Sequence, residues 1–515
     1  MPISLMSRTT LFLLLFTWAG ASSAAETAAS KVLSSITSAD LRRHAERLAD
    51  DTLEGREAGS RGGHAAGHYL GQEFQRHRLA GGAAARSYYQ SFGPQYRNIL
   101  GLLEGSDPQL KQELIVVGAH YDHVGYGNSQ NSYGPTGYIH NGADDNASGV
   151  AGLLELVEAF SRLDARPKRS ILFALWDGEE KGLLGSEYWV AHPTAPLDRV
   201  RLAVNLDMIG RLQRKRLEVY GIRSGFGLRR LLSMNNAATD LAFDFSWTMR
   251  EDSDHYSFYK RNVPVLMFHS GLHSDYHRPS DDVEKLDFAG MERIVRMLFG
   301  VVHELADERK LSGFRGAARH ENSELRRERE QPLPAPPARL GLAWDPRDEG
   351  RDGGLRIVHV APRSAAAVAG IRVGDRLVRF AGRDLNRETD LRSLVLAAKS
   401  PAIVAVERAG SAQPLNLTVK LAGPPLRLGL SWRTDAAEPQ AVIVAHVVPG
   451  SPAARSGMLV HDRLYEVSGR AFTGEEEFRR LLTETDDDTL ELLTEREGRV
   501  RTVTVKLLPP VRSEF

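Results

Sequence analysis

Two adjacent carboxylates, Glu179 and Glu180, follow an apolar run at residues 171–176 and a turn-forming Asp177-Gly178. Six consecutive apolar residues bounded by Asp-Gly read as a strand buried on both faces. Ligands gather in the crevice at the carboxyl ends of strands in open α/β sheets, so this acidic pair stands where such a sheet does its chemistry. Three more apolar runs end the same way. Residues 114–119 deliver His120 and, two positions on, Asp122; residues 202–206 deliver Asp207; residues 263–268 lead into a segment that closes on Tyr276-His277. A loop rich in Gly, Asn, Ser and Tyr then ends in Ala143-Asp144-Asp145-Asn146-Ala147-Ser148-Gly149, just ahead of a helical pattern. Aspartates there sit at a helix N-terminus, where negative charge is favoured.

The strand-end candidates are His120, Asp144, Glu180, Asp207 and His277. Two imidazoles and three carboxylates without sulfur suit zinc or a similar divalent ion. Three negative ligands against two divalent ions leave one positive charge over, so the set fits a two-metal site better than a single structural zinc. Such a pair polarises a carbonyl and lowers the pKa of water between the ions. Glu179, beside a ligand, supplies the base that takes the water's proton and passes it to the leaving amine. The lone histidines His44, His64, His192 and His303 have no such placement. The His-Glu-x-x-His helix of another zinc protease class is missing. Nor is there a Gly-x-Ser-x-Gly elbow, a cysteine nucleophile or a phosphate loop.

The elements that must hold these residues are strands alternating with helices. Residues 41–79 read as helix, loop and helix, residues 183–191 as helix, and residues 287–305 as a closing amphipathic helix. The fold class expected is therefore α/β, a mainly parallel mixed sheet with helices on both faces. Lys plus Arg equals Asp plus Glu at 66 each, which gives no footprint for nucleic acid or an acidic membrane surface. The absence of cysteine excludes disulfides and a lipidated thiol. Residues 1–25 carry Arg8, a short apolar core at 11–16 and small residues up to Ala25, the pattern of a signal peptide. A secreted or periplasmic protein is the expectation, with membrane contact only through that segment if it stays uncleaved. Residues 26–37 read as a disordered start to the mature chain, and residues 308–337, charged and then proline-rich, as a linker. Beyond it the chain repeats: Arg339-Leu340-Gly341-Leu342-Ala343-Trp344 recurs as Arg427-Leu428-Gly429-Leu430-Ser431-Trp432, and Asp375-Arg376-Leu377 recurs as Asp462-Arg463-Leu464. Two copies of one small β-rich domain, at 338–422 and 426–509, follow from those offsets.

The strand-end motifs in residues 38–307 together resemble the co-catalytic di-zinc aminopeptidase family of secreted leucyl and aminopeptidase S and Y type. They are Gly118-Ala119-His120-Tyr121-Asp122, Gly142-Ala143-Asp144-Asp145-Asn146-Ala147-Ser148-Gly149, Glu179 to Ser186, Asn205 to Gly210, and Tyr276-His277. The resemblance implies a zinc exopeptidase fold, with His120 and Asp207 on one zinc ion, Glu180 and His277 on the other, and Asp144 bridging. It further implies Glu179 as general base, Asp122 as the residue that orients His120, and Tyr276 as a donor to the developing oxyanion. Arg278-Pro279 departs from the threonine that relatives often place after this histidine. Ser253-Asp254-His255 resembles a family segment near the pocket, with no role assigned. The two repeats resemble PDZ domains, with Leu340-Gly341-Leu342 and Leu428-Gly429-Leu430 at the loop that holds a peptide's terminal carboxylate. The function implied is a metalloaminopeptidase acting on peptides with a free N-terminus, with C-terminal peptides as ligands of the repeats. The alternatives are glutaminyl cyclisation or carboxypeptidase action on the same scaffold, or a PDZ peptide-binding protein with a degenerate enzyme domain.

Overall fold

The computed structural model describes residues 32–212, 216–335, 337–349, 351, 353–484 and 488–507. The signal segment expected at 1–25 lies outside them. The chain forms two compact units, one of residues up to 225 with 235–320, the other of 226–234 with 321 onward. Among the described residues no helix is long and apolar enough to cross a membrane.

The first unit is built on a nine-stranded sheet of β1 (Ala80–Gly81), β2 (Tyr89–Phe92), β3 (Tyr96–Leu103), β4 (Leu114–His120), β5 (Ser170–Trp176), β6 (Val200–Leu206), β7 (Arg216–Tyr220), β8 (Ala242–Phe245) and β9 (Val265–His269). The order is β1-β3-β5-β4-β6-β9-β7-β8, with β2 paired to β3. The middle four strands, β5-β4-β6-β9, run parallel, while β3 and β7 join them antiparallel. These central strands are the four apolar runs of the sequence, and every residue of β4 and β5 is buried.

Helices cover both faces, as the alternation of elements requires. On one side α1 (Ser38–Leu48), α3 (Gly149–Ser161) and α7 (Phe288–Asp307) pack on one another and on the sheet, with Phe160 meeting Phe173 and Phe299. On the other, α4 (Leu184–Ala191) and α6 (His255–Tyr259) bring Trp189 and Phe258 against Trp176. The helix starts are set by side chains that accept from orphan amides. Thr37 caps α1, Ser60 caps α2 (Arg61–Arg76), and Asp287 caps α7.

Two expectations need correction. Residues 32–36 are ordered, because Ile36 is fully buried and the Thr37 amide donates to Glu155 Oε2 at 3.1 Å. The stretch 308–337 is not a featureless linker. Gly316–His320 is a 3₁₀ turn with Ala318 in the core, and α8 (Ser323–Arg329) begins on an Asn322 side chain that accepts from the amides of Glu324 and Leu325. Capping and i,i+4 pairing such as Arg326–Glu330 at 2.8 Å hold a helix that has no apolar period.

The second unit contains α5 (Leu228–Asn235), apart from its last residue, and two six-stranded sheets. The first sheet comprises β10 (Leu342–Trp344), β11 (Leu355–Val360), β12 (Arg376–Phe380), β13 (Arg383–Asp384), β14 (Ala402–Glu407) and β15 (Leu415–Val419). The second comprises β16 (Leu430–Arg433), β17 (Val442–Val447), β18 (Arg463–Val467), β19 (Arg470–Ala471), β20 (Thr489–Arg496) and β21 (Arg499–Lys506). Strand order is the same in both, and even the irregularities recur, at Ala343/Trp344 and Ser431/Trp432 and again at Leu377/Arg379 and Leu464/Glu466. The repeated glycines explain themselves. Gly341 and Gly429 have φ of +76° and +74°, and a Cβ on either would lie 2.3 or 2.1 Å from the Cβ of Ser364 or Ser451. Those serines cap the short helices α9 (Ala365–Val368) and α11 (Pro452–Arg455). The longer helices α10 (Leu391–Ala397) and α12 (Gly474–Glu484) complete each repeat.

Candidate metal centre

His120 is the last residue of β4, Asp207 follows β6, and Glu179-Glu180 lie three residues past β5, so three neighbouring parallel strands deliver four of the expected side chains to one end of the sheet. His277 arrives from the loop after β9. The aspartate that meets them is Asp145. Its Oδ1 lies 3.4 Å from His120 Nε2, which is itself 3.4 Å from Asp207 Oδ1. Its other oxygen lies 3.1 Å from His277 Nε2, which is 3.1 Å from Glu180 Oε2. One carboxylate thus faces two groups of donors, His120 with Asp207 and His277 with Glu180.

Asp144, the bridge expected from the sequence, is turned away and fully buried. Its Oδ1 accepts from the Gly210 amide at 2.6 Å and from Ser148 Oγ at 2.9 Å, and Oδ2 lies 3.2 Å from His273 Nε2. Neighbouring side chains on a non-helical backbone point to different sides, so of two consecutive aspartates only one can face the cleft. Asp144 fixes the loop to the residues after Asp207, while the Asp144 and Asp145 amides both donate to Asp281 Oδ2.

Asp122 lies buried beside His120. Its carbonyl oxygen is 3.2 Å and its Oδ1 3.9 Å from His120 Nδ1, and the same Oδ1 accepts the Glu179 amide at 3.1 Å. One buried residue therefore touches both, His120 through its backbone carbonyl and the Glu179 amide through its carboxylate. Tyr276 stacks on His277 with ring centroids 3.9 Å apart. Burial, with Asp145, Glu180, Asp207 and Glu179 nearby, drives its hydroxyl well above the ordinary phenol range. In the Ser253-Asp254-His255 segment, Ser253 Oγ accepts from Asn205 Nδ2 at 2.8 Å. Asp254 is buried with neither oxygen hydrogen-bonded, and burial pushes its pKa up to about 7.

Two residues escaped the sequence reading. His123 Nδ1 donates to Glu180 Oε1 at 2.8 Å and is 3.8 Å from Asp145 Oδ2. Alternation along a strand would have sent it away from His120, but β4 stops at His120 and the chain turns. The pattern His-x-x-His was the available signal. Arg56 is fully buried beneath the site. Its guanidinium donates to the carbonyls of Tyr121 at 2.9 Å, Leu48 at 2.6 Å, Asn141 at 2.7 Å and Gly142 at 3.0 Å. Burial lowers its pKa to about 10, which leaves it charged at neutral pH. Gly142 permits the turn between them: at φ +54° a Cβ would lie 2.1 Å from the Asp145 carbonyl and 2.5 Å from the His123 ring.

The donor set fits divalent cations of the zinc type. His123, Asp145, Glu180 and His277 form one cluster of converging ligand atoms, and His120, Asp145 and Asp207 another. Buried Nε2 of His277 makes no properly directed hydrogen bond although two carboxylate oxygens lie 3.1 Å away, the arrangement of a donor aimed at a shared cation. The field agrees. Burial alone would lower the His120 imidazole, yet Glu179, Asp207 and Asp145 hold it well above its usual value, and His277 is pushed up to about 11 by its carboxylate neighbours against the same burial.

Comparisons with known proteins follow this geometry. The chain matches peptidase family M28 over residues 98–302 and the PDZ domain family over residues 427–507. It is 27% identical to aminopeptidase YwaD of Bacillus subtilis (strain 168) over 224 residues, 42% of this chain and 46% of that one. It is 30% identical to the uncharacterized protein YfbL of Escherichia coli (strain K12) over 235 residues, 39% of this chain and 69% of YfbL. The chain belongs to peptidase family M28. Its M28 domain spans about half the length of YwaD. The LapA aminopeptidase of Legionella pneumophila is a solved structure similar to this chain, at 19% identity and a TM-score of 0.47, covering 60% of this chain and 81% of LapA. A PDZ domain follows the M28 domain.

Proposed function

We propose that the M28 domain is a zinc-dependent aminopeptidase that removes N-terminal residues from peptides with a pair of metal ions. The observation that carries this is Asp145, whose two oxygens address two separate donor groups. His120 and Asp207 would hold one ion, Glu180 and His277 the other, and Asp145 both. Bound there, such ions supply Lewis acidity toward the scissile carbonyl and acidify the attacking water. The protein does the rest. Asp122 keeps His120 and the Glu179 backbone in register. Burial, then Glu180, Asp254 and Asp207, raise the proton affinity of Glu179 against the pull of His120, which suits a group that must take a proton from water and hand it to the leaving amine. The carboxylates around the cleft attract a free α-amine. Tyr276, stacked on His277, is the residue we assign to the developing oxyanion.

Glu179→Gln should reduce hydrolysis of aminoacyl-nitroanilides by about 10²- to 10⁴-fold with zinc content unchanged in the purified protein. Full turnover in that variant removes Glu179 from the mechanism; chelator-resistant turnover removes the metals. Blocked N-termini should abolish hydrolysis, which separates this activity from carboxypeptidase action. The segment at 1–25 supports export through a cleaved leader, to be read by N-terminal sequencing of the protein recovered outside the cytoplasm. For the second repeat, the Leu428-Gly429-Leu430 loop and the outer edge of β16 support capture of a peptide C-terminus as an added strand.

A further inference from the structure

The two repeats carry the same pair across the groove between edge strand and long helix, and they complete it differently. In the first repeat the Arg392 guanidinium lies 4.9 Å over the Trp344 ring; in the second, Arg479 lies 4.8 Å over Trp432. The first pair is closed by an internal acid. Glu349 Oε1 accepts from Trp344 Nε1 at 2.9 Å and lies 2.9 Å from Arg392 Nη2, so one carboxylate holds both. Among the described residues no acid of the second repeat stands in that place. The buried Trp432 Nε1 has no hydrogen-bond partner among the described residues. The carboxylates of the loop between β16 and β17 are engaged elsewhere, Asp435 with the Ala437 amide at 2.8 Å and Glu438 with Arg463 at 3.2 Å. Arg479 is met by Glu475 on its own helix at 2.5 Å, an exposed pair that solvent screens.

Beside this pair lies a cavity of about 280 Å³, lined by Leu428, Leu430, Trp432, Arg479, Leu482 and Leu507 among others. Its floor is aliphatic, and the Trp432 ring and the Arg479 side chain stand in its wall. A buried donor without a partner is costly, and a carboxylate that meets an arginine and an N–H together gains charge-assisted bonds. The first repeat shows which group satisfies that combination.

We propose that the second repeat selects peptides that carry an acidic side chain, whose carboxylate takes at Trp432 and Arg479 the place that Glu349 fills in the first repeat, while an apolar C-terminal residue enters the aliphatic cavity. The first repeat is closed by its own Glu349 and binds no such peptide. This rests on the reading of the β16 edge as a peptide-binding strand, and the experiment separates the two.

The probe is a set of peptides added to the full chain, each blocked by an N-terminal fluorescein so that the M28 domain cannot trim it. All end in the same apolar residue, and each carries either Glu or Gln at one of the preceding positions. Fluorescence anisotropy should show one peptide per chain and, at one position, Glu binding about tenfold tighter than Gln, with the gap narrowing as salt rises. Arg479→Gln and, separately, Trp432→Phe should erase the gap while leaving the Gln peptide's affinity in place; thermal melting reports whether each variant is folded. Glu349→Gln should raise the stoichiometry from one to two. Equal affinity for Glu and Gln peptides at every position overturns acid selection but keeps the groove. Failure of every peptide to bind overturns the groove itself, and two sites in the unaltered chain overturn closure of the first repeat.

Discussion

Two clusters of buried carboxylates in this protein look alike in residue type and burial and differ in what balances them. In the second unit, Glu495 is gripped at both oxygens by Arg229, at 2.9 and 3.1 Å, and also accepts from Tyr465 and the Gly498 amide. Arg463 meets Glu438 at 3.2 Å and Glu330 at 3.1 Å, and Arg326 meets Glu330 at 2.8 Å. Glu495 and Glu438 each face one guanidinium with both oxygens, and Glu330 meets two arginines, one at each oxygen. At the candidate metal centre, Asp122, Asp145, Glu179, Glu180, Asp207 and Asp254 crowd together with three histidines, and the buried guanidinium of Arg56 spends its N–H groups on carbonyl oxygens. The first arrangement is complete as a structural ion-pair network. The second has an excess of negative charge that an added cation would balance, and this imbalance marks a candidate working site.

The comparison breaks most sharply at the two consecutive aspartates. Asp145→Asn should lower turnover by more than about 100-fold, the upper range for residues that merely support metal ligands, and should reduce bound zinc measured by plasma emission. Asp144→Asn should keep the zinc and lose stability instead, since it touches only Gly210, Ser148 and His273. Reversed outcomes would restore Asp144 as the bridge. In the balanced cluster, Arg463→Met should cost about 3–5 kcal/mol, because it strands buried acids rather than removing a pair. Scanning calorimetry should show the second unit's transition falling while aminopeptidase turnover is retained at low temperature. Chelation should act on the other unit alone. At zinc a hundredfold above its Kd, metal removal should lower the stability of the M28 domain by about 2.7 kcal/mol, with the second unit's transition unmoved.

The smallest effect concerns a third buried acid, in neither cluster. Burial raises Glu155 on α3 to about 8, and burial with Arg43 nearby lowers His44 on α1 to about 3. A carboxyl whose folded pKa is raised stabilises most below its unfolded value near 4.5, and that stability drains away as pH rises to about 8. Glu155→Gln should therefore melt roughly 3–6 °C higher than the parent at pH 9 and almost equally at pH 4. No gain at pH 9 would show that Glu155 titrates normally.

Much of this was legible in the chain. The four central strands showed because strands buried on both faces must be continuous apolar runs, and the repeats showed because glycines such as Gly341 and Gly429 cannot change without a clash. The outer strands β3, β7 and β8 were missed: half-buried strands such as Tyr96–Leu103 carry polar residues such as Arg97 and Asn98, which dilute the apolar signal. Strand ends bring His120, Glu180 and Asp207 together because the chain leaves a parallel sheet at one edge. The choice between Asp144 and Asp145 depends on backbone torsions in a loop, to which periodicity is blind. Arg56 was hidden for a different reason. Its task is set by four carbonyl groups, and every residue has one.

That arginine ties distant stretches of chain into one event. The segment from Asn98 to Val302 contains every side chain that would touch a cation, yet the clasp beneath them comes from upstream, joining the end of α1 to the loops that carry Asp122 and Asp145. A protease that clipped the chain at the exposed Thr52 would leave all the proposed ligands present and the site slack. Trimming at the front edge would be a way to switch off the proposed activity without touching its chemistry.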